Sequence, residues 1–187
     1  MGEAAINPDL KDLIEQAPPE KLERAKRILE LLKQRNWEDN PAEFFKNRLK
    51  IQDKHSNIVP LVPNAHQKLV LGAAEEQRKK NLPIRIIVLK PRQTGISTVS
   101  EGLVYHRTHY GRGIGLVVSK DQESSEGLFG IAKRFYHYLP EAEQPKLLAS
   151  NRKELKFEES HGGRLMVATA GTTGLGRSFT VPYLHGP

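Results

Sequence analysis

With 187 residues and no cysteine, the chain is long enough for one medium α/β domain with a sizeable core, and disulfides and thiolate metal sites are excluded. A formal charge of +7 and a pI near 9.6 point toward a polyanionic partner, although many proteins are this basic without touching nucleic acid. The N-terminus is polar with no hydrophobic signal core, and no apolar run approaches the roughly 18 residues of a membrane span.

Residues 1–57 read as an N-terminal helical arm ahead of a core at 58–187. Asn7, Pro8 and Asp9 start a short helix carrying Leu10, Leu13 and Ile14. Residues 17–20, with two prolines, break it. A second helix places Leu22, Ala25, Ile28, Leu29 and Leu32 at three- and four-residue intervals. One narrow apolar stripe does not sustain an independent fold, so the arm has to dock, either on its own domain or on a neighbouring subunit. Residues 37–40 read as a loop. Pro41 opens another helix, on which Phe44 and Phe45 are core residues rather than a base-stacking platform, because no basic residue alternates with them. Residues 58–63 are extended and proline-punctuated. Asn64 then caps a helix with Gln67 in its first turn. His66 has no second ligand at metal spacing and reads as a partly buried structural histidine.

The most informative stretch follows. Residues 84–89, Ile-Arg-Ile-Ile-Val-Leu, are apolar and β-branched and read as a strand. Lys90, Pro91, Arg92, Gln93, Thr94 and Gly95 form a loop. Ile96, Ser97 and Thr98 open a helix. A helix start offers unpaired N–H groups and the positive end of its dipole, so a polyphosphate placed there is bound by geometry and by charge. The usual nucleotide-binding spacing is Gly, four residues, Gly, Lys, then Ser or Thr. Gly95 and Ser97 fit it, but Lys90 stands where the first Gly belongs and Ile96 where the Lys belongs. The chemistry requires a bend at Gly95, a hydroxyl for Mg²⁺ at Ser97 or Thr98, and an ammonium for the β- and γ-phosphates, which Lys90 supplies from the front of the loop. The competing interpretation is a strand ending in a basic surface turn.

Beyond the loop, His106 and His109 lie one turn apart near the helix end, and no carboxylate or further histidine completes a metal site, so a solvated helix end is expected. Residues 114–118 form a second buried strand, giving a strand–helix–strand parallel crossover. Asp121 caps a helix whose one side carries Leu128, Ile131, Ala132, Phe135 and Tyr138, ending at Leu139 and Pro140. Residues 145–150 are a connection. Residues 154–158 and 163–169 pair as a hairpin. Glu158 and Glu159 at its turn read as solvated. Residues 169–180, rich in Gly and hydroxyls, form a loop with Arg177 near its end.

The run Lys-Pro-Arg-Gln-Thr-Gly-Ile-Ser-Thr at 90–98 resembles the deviant phosphate loop of the large terminase subunits of tailed bacteriophages, the ATPases that drive DNA into empty capsids. In that family the lysine is often displaced to the front of the loop and an Arg-Gln pair precedes the Gly. The strand, Ser119-Lys120-Asp121 cap and helix ending in Leu139-Pro140 are similar too, as is the Gly176-Arg177 element. The resemblance implies a P-loop NTPase-type α/β fold, with a mainly parallel sheet flanked by helices and an N-terminal helical arm. It further implies ATP and Mg²⁺ as cofactors, with residues 90–98 around the phosphates, Lys90 on the β- and γ-phosphates, Ser97 or Thr98 on Mg²⁺, and Gln67 reading adenine. Arg177 is then the candidate arginine finger acting in trans, and Arg92 its competitor acting within its own subunit.

The implied activity is ATP hydrolysis coupled to translocation of double-stranded DNA into the procapsid, in the cytoplasm of an infected bacterium. The implied partners are DNA, a portal protein, a small terminase subunit and further copies in a ring, with a monomer expected in isolation and no membrane. Residues 181–187 resemble the strand leading to the family's acidic, Walker B-type motif. The catalytic Glu of that motif and the family's nuclease domain do not appear in these residues, so weak ATP–Mg²⁺ binding and impaired hydrolysis are expected of this chain. Two other classes stay open: a helicase-like nucleic-acid-dependent ATPase, and a non-catalytic docking module of the packaging machinery.

Overall fold

The computed structural model describes residues 18–111, 113–158, 162–171 and 180–186. The chain divides into two compact units, residues 1–39 and 40–187. The described part of the first is helix α1, Pro19–Asp39, whose first turn is closed by the Pro18 carbonyl accepting from the amides of Lys21 and Leu22. Its stripe residues Ile28, Leu29 and Leu32 are exposed. The helix runs through the expected loop at 37–40 as far as Asp39, and only Asn40 interrupts it. Pro41 disfavours helical geometry at the residue before it, so Asn40 becomes a cap instead of a loop.

The second unit begins with α2, Pro41–Arg48, on which Asn40 Oδ1 accepts from the Glu43 amide and Pro41 occupies a first-turn position that needs no donor. Phe44 and Phe45 are both fully buried, as expected. A small antiparallel ribbon follows, β1 (Lys50–Gln52) and β2 (Ile58–Pro60). Its turn is held by Asp53 Oδ1 accepting from the amides of His55 and Asn57, both at 2.8 Å. Helix α3, Ala65–Lys79, and helix α4, Ile96–Gly111, are separated by an irregular segment. Then come β3 (Ile114–Ser119), α5 (Gln122–His137), a 3-10 turn (Glu141–Glu143), β4 (Leu147–Ser150), β5 (Glu154–Phe157), β6 (Arg164–Thr169) and β7 (Tyr183–His185). Asp121 caps α5 by accepting from the Ser124 amide at 2.7 Å.

The main sheet has five strands in the order β4-β5-β6-β3-β7. Strand β3 runs parallel to β6 and β7, whereas β4/β5 and β5/β6 are antiparallel. The hairpin expected from 154–169 is present, with Leu155 opposite Leu165. Part of the expected connection at 145–150 is strand β4.

The expected architecture is corrected here. The sheet is mixed, not mainly parallel, and residues 84–89 are not a strand: the P-loop NTPase-type arrangement, with that run feeding the loop from inside the sheet, is absent. The reason is positional. A strand exists only by pairing with a neighbour, and the two sides of β3 are taken by β6 and β7. Residues 84–89 lie outside the ladder, with Ile87 and Leu89 fully exposed. A substitute for pairing occurs at one residue: the Gln77 carboxamide accepts from the Arg85 amide at 2.7 Å and donates to the Arg85 carbonyl at 3.3 Å.

Helix α4 organises the core. It touches α2, α3 and α5 and strands β3, β6 and β7, and it buries residues on nearly every side, including Val99, Glu101, Val104, Tyr105 and Thr108. His106 and His109, expected at a solvated end, are buried in an aromatic cluster. Phe44 meets His106 edge-on at 5.3 Å, and His109 stacks on Tyr105 at 5.9 Å. Two glycines let the sheet approach this helix. A Cβ at Gly115 would lie 2.6 Å from Val104 Cγ1, and one at Gly163 would run into the Thr108 carbonyl oxygen. Backbone cannot retreat as a flexible side chain can. Gly163→Ala is therefore expected to destabilise the protein by about 1–3 kcal/mol, read as a lower urea midpoint; an unchanged midpoint would mean that β6 and α4 are not in tight contact there.

Candidate functional site

The loop at 90–98 is positioned by the start of α3. Asn64 and Gln67 form a reciprocal capping box: Asn64 Oδ1 accepts from the Gln67 amide at 3.0 Å, and Gln67 Oε1 accepts from the Asn64 amide at 2.9 Å. Each side chain has a donor left over. Gln67 Nε2 gives its N–H to the Gly95 carbonyl at 2.8 Å, and Asn64 Nδ2 donates to the Thr94 carbonyl at 3.2 Å. One helix cap thus holds the end of the loop that starts the next helix.

Gly95 is fitted to that role in two ways. Its φ of +73° is a conformation that side-chain-bearing residues rarely adopt, and a Cβ there would sit 2.6 Å from Gln67 Nε2. Its carbonyl also accepts from the Val99 amide at 3.2 Å, the first helical bond of α4. Gln93 shares the left-handed conformation at φ +64°. The loop turns and bends over residues 92–95 before α4 begins. Buried Ile96 anchors the first turn of α4 beneath it.

Several polar groups of the loop are left without partners. The amides of Arg92, Gln93, Thr94 and Gly95 donate to no backbone acceptor among the described residues. Lys90 and Arg92 are exposed, and no ion pair engages them among the described residues. Ser97 and Thr98 are half-buried in the first turn of α4. Pro91 is exposed, and Thr94 Oγ1 makes a long bond of 3.4 Å to the Pro91 carbonyl. Unsatisfied donors, two cations and the positive end of a helix dipole make a region of positive potential suited to an anion. Among the described residues, no three His, Cys, Asp or Glu side chains converge on a metal position, so a Mg²⁺ ion here would depend on phosphate oxygens and a hydroxyl.

The structure brings Gln67 against Gly95 of the 90–98 stretch. Arg177 lies outside the described residues. Gln67 is 5 % exposed, and its observed partners are the Asn64 amide and the Gly95 carbonyl. Sequence reasoning missed Asn64 as a loop clamp, although the Asn-x-x-Gln cap signature was visible. It also missed Glu101, which carried no signal at all. Glu101 is fully buried on α4, with Oε1 2.9 Å from His185 Nδ1 on β7 and Oε2 without a hydrogen-bond partner. Burial pushes its carboxyl pKa up, and the hydrogen bond and charge of His185 oppose the shift only in part.

No protein-family model and no curated protein sequence matches the chain. Among the described residues no helix is long and apolar enough to cross a membrane.

Two outcomes are expected. Gln67→Ala removes the clamp and leaves the Asn64 amide without its cap, at a cost of about 1–3 kcal/mol; equal urea stability of variant and wild type would contradict the clamp. For Glu101, a native pKa raised above the unfolded value means that the ionised form is the disfavoured one. Its penalty is absent below the unfolded value and grows as pH rises through the raised native value. The stability difference between wild type and Glu101→Gln should accordingly turn against the wild type as pH is raised from about 4.5; a difference constant with pH would contradict the burial argument.

Proposed function

We propose that residues 90–98 bind the phosphates of ATP, and that the chain is the ATP-binding part of a viral DNA-packaging motor. The observation that carries the first statement is the loop itself, whose amides at 92–95 have no backbone acceptor, with Lys90 and Arg92 beside it and Ser97 and Thr98 opening α4. That donor set fits a polyphosphate: amides and cations receive the oxygens, and Ser97 or Thr98 offers a hydroxyl to Mg²⁺. Bound Mg²⁺ would supply charge neutralisation of the phosphates during transfer. Lys90 grips the β- and γ-phosphates from the front of the loop. Gln67 keeps Gly95 in place, and its carboxamide retains one N–H and one lone pair with which to read adenine.

The packaging role rests on the resemblance of residues 90–98 to the large terminase phosphate loop and on a charge of +7 that suits double-stranded DNA. In that role the chain works in the cytoplasm of an infected bacterium, as a ring of copies with a portal protein and a small terminase subunit. Arg177 serves the neighbouring subunit, or Arg92 its own, to stabilise charge in the transition state. A docking-module reading has one observation in its favour, the exposed Ile28, Leu29 and Leu32 on α1.

Calorimetric titration with a slowly hydrolysed ATP analogue and Mg²⁺ distinguishes the two readings. Weak but saturable binding is expected, abolished by Lys90→Ala; no heat with the wild-type chain would favour the docking module, and undiminished affinity in the variant would remove Lys90 from the site. In a phosphate-release assay the 187-residue chain is expected to turn over poorly or not at all, because positioning of the attacking water needs a carboxylate and residues 90–98 carry none; brisk turnover would contradict this.

A further inference from the structure

We propose that the β1–β2 ribbon, together with the end of α5, is a contact surface for the phosphate backbone of double-stranded DNA. The inference takes its choice of DNA from the reading above and locates a contact which that reading leaves open; it does not involve the phosphate loop.

The ribbon is fixed to the end of α5 along one side. Arg134 Nη2 donates to Gln52 Oε1 at 3.3 Å, and Lys50 Nζ stands 5.6 Å from the centre of the Tyr138 ring. Lys50 and Gln52 share a face of β1, two residues apart, and Arg134 and Tyr138 share a face of the helix end, four apart. Strand and helix therefore meet in register, and the contact sets the cations Lys50 and Arg134 along one ridge. At its far end the ribbon is held by its own turn. Asp53 accepts from the amides of His55 and Asn57 and from the Asn57 side chain. The Asp53 amide donates to the Asn57 carbonyl at 2.9 Å, and Ser56 takes a left-handed φ of +65°. A turn with so many bonds presents the exposed Lys54 and His55 from a fixed backbone, so less ordering is left for binding to impose.

The charge of this surface is of one sign. Residues 50–60 and 130–138 carry Lys50, Lys54, Lys133 and Arg134 against a single carboxylate, Asp53. Hydrogen bonds, that from the Asn57 amide foremost, hold the Asp53 carboxyl below the usual carboxylate range, and its charge is satisfied within the turn. Glu143, on the 3-10 turn that follows α5, is matched by Arg48 at 2.6 Å. Lys133 and Arg134 also complement the dipole at the end of α5. Lys50 and Lys54 belong to the ribbon and have no such role. The major groove of DNA, about 12 Å wide, admits a two-stranded ribbon, and cations flanking it neutralise phosphates on either side. Single-stranded nucleic acid is bound on open aromatic faces, whereas Tyr138, the partly exposed aromatic here, already has Lys50 over its ring.

A labelled duplex of about 20 base pairs, titrated with the 187-residue chain without nucleotide and followed by anisotropy between roughly 50 and 200 mM salt, tests the proposal. Log affinity should fall with log salt at a slope of about −3, the value for three phosphate contacts. Lys50→Ala should make the slope shallower by about 1, and Lys54→Glu, at the exposed turn, should weaken binding roughly tenfold. Lys156→Glu makes the same charge change on the opposite face of the sheet, because the ring of neighbouring Phe157 packs on Tyr105 and Tyr136 of the helices; it should bind as the wild type does. Circular dichroism confirms that the variants fold. Equal weakening by Lys156→Glu would reduce the binding to net charge and overturn the proposal. Unchanged affinity and slope in both ribbon variants, equal or tighter binding of the single strand, or no binding of the duplex by the wild type would overturn it as well. A wild-type chain that binds the duplex through the ribbon but shows no heat with the ATP analogue would count against the phosphate loop alone.

Discussion

The carbonyl oxygen of Gly95 is the point on which the candidate site depends. It receives the Val99 amide, which begins α4, and the Gln67 carboxamide, which belongs to the cap of α3. A carbonyl has two lone pairs, and here both are used to join two helices at their starts. Because α4 packs against much of the second unit, anything that moves the loop has to move against the core or break this junction. The loop is therefore held without the support of a strand. Residues 84–90 reach it from outside the sheet, and its shape comes from the cap of α3, the left-handed turns at Gln93 and Gly95, and the burial of Ile96.

The same junction explains why the loop is electrostatically unsatisfied. The side chains of Asn64 and Gln67 occupy its carbonyls, at Thr94 and Gly95, while its amides at 92–95 have no backbone acceptor among the described residues. Acceptors are consumed internally and donors are kept for a ligand. Together with Lys90, Arg92 and the start of α4, that asymmetry is what an anion site requires. Deeper along α4 the polarity reverses: Glu101 brings a carboxylate into the core and ties the helix to β7 through His185. A buried acid with one oxygen unpartnered is costly, and it sits where β7 meets the helix.

Much of the second unit was legible in local pattern. The caps at Asn64 and Asp121, the burial of Phe44 and Phe45, the strand at 114–119 and the pairing of 154–157 with 164–169 each follow from signals spanning only a few residues. The failure at residues 84–89 has a clear cause. Ile84, Ile86, Ile87, Val88 and Leu89 have the composition of a central strand, but strandhood depends on a neighbour, and composition says nothing about whether the place beside β3 is free. His106 and His109 were misread for a related reason. Helix α4 buries polar residues alongside apolar ones, so its sequence lacks the clear stripe that marks an inward face. Glu101 was invisible because its partner is 84 residues away. Of the site, the loop and its turn at Gly95 could be read directly, whereas the clamp by Asn64 and the second role of Gln67 required the two helix starts to be seen side by side.

The central claim is that the unpartnered amides of the loop receive phosphate oxygens. Two-dimensional amide NMR of the isotopically labelled chain, titrated with a non-hydrolysable ATP analogue and Mg²⁺, tests it most directly. The account predicts that the largest shifts fall on the amides of Arg92 to Thr98, with smaller ones at Asn64 and Gln67 across the clamp. Shifts confined to other parts of the chain, with those amides unmoved at saturating nucleotide, would contradict it.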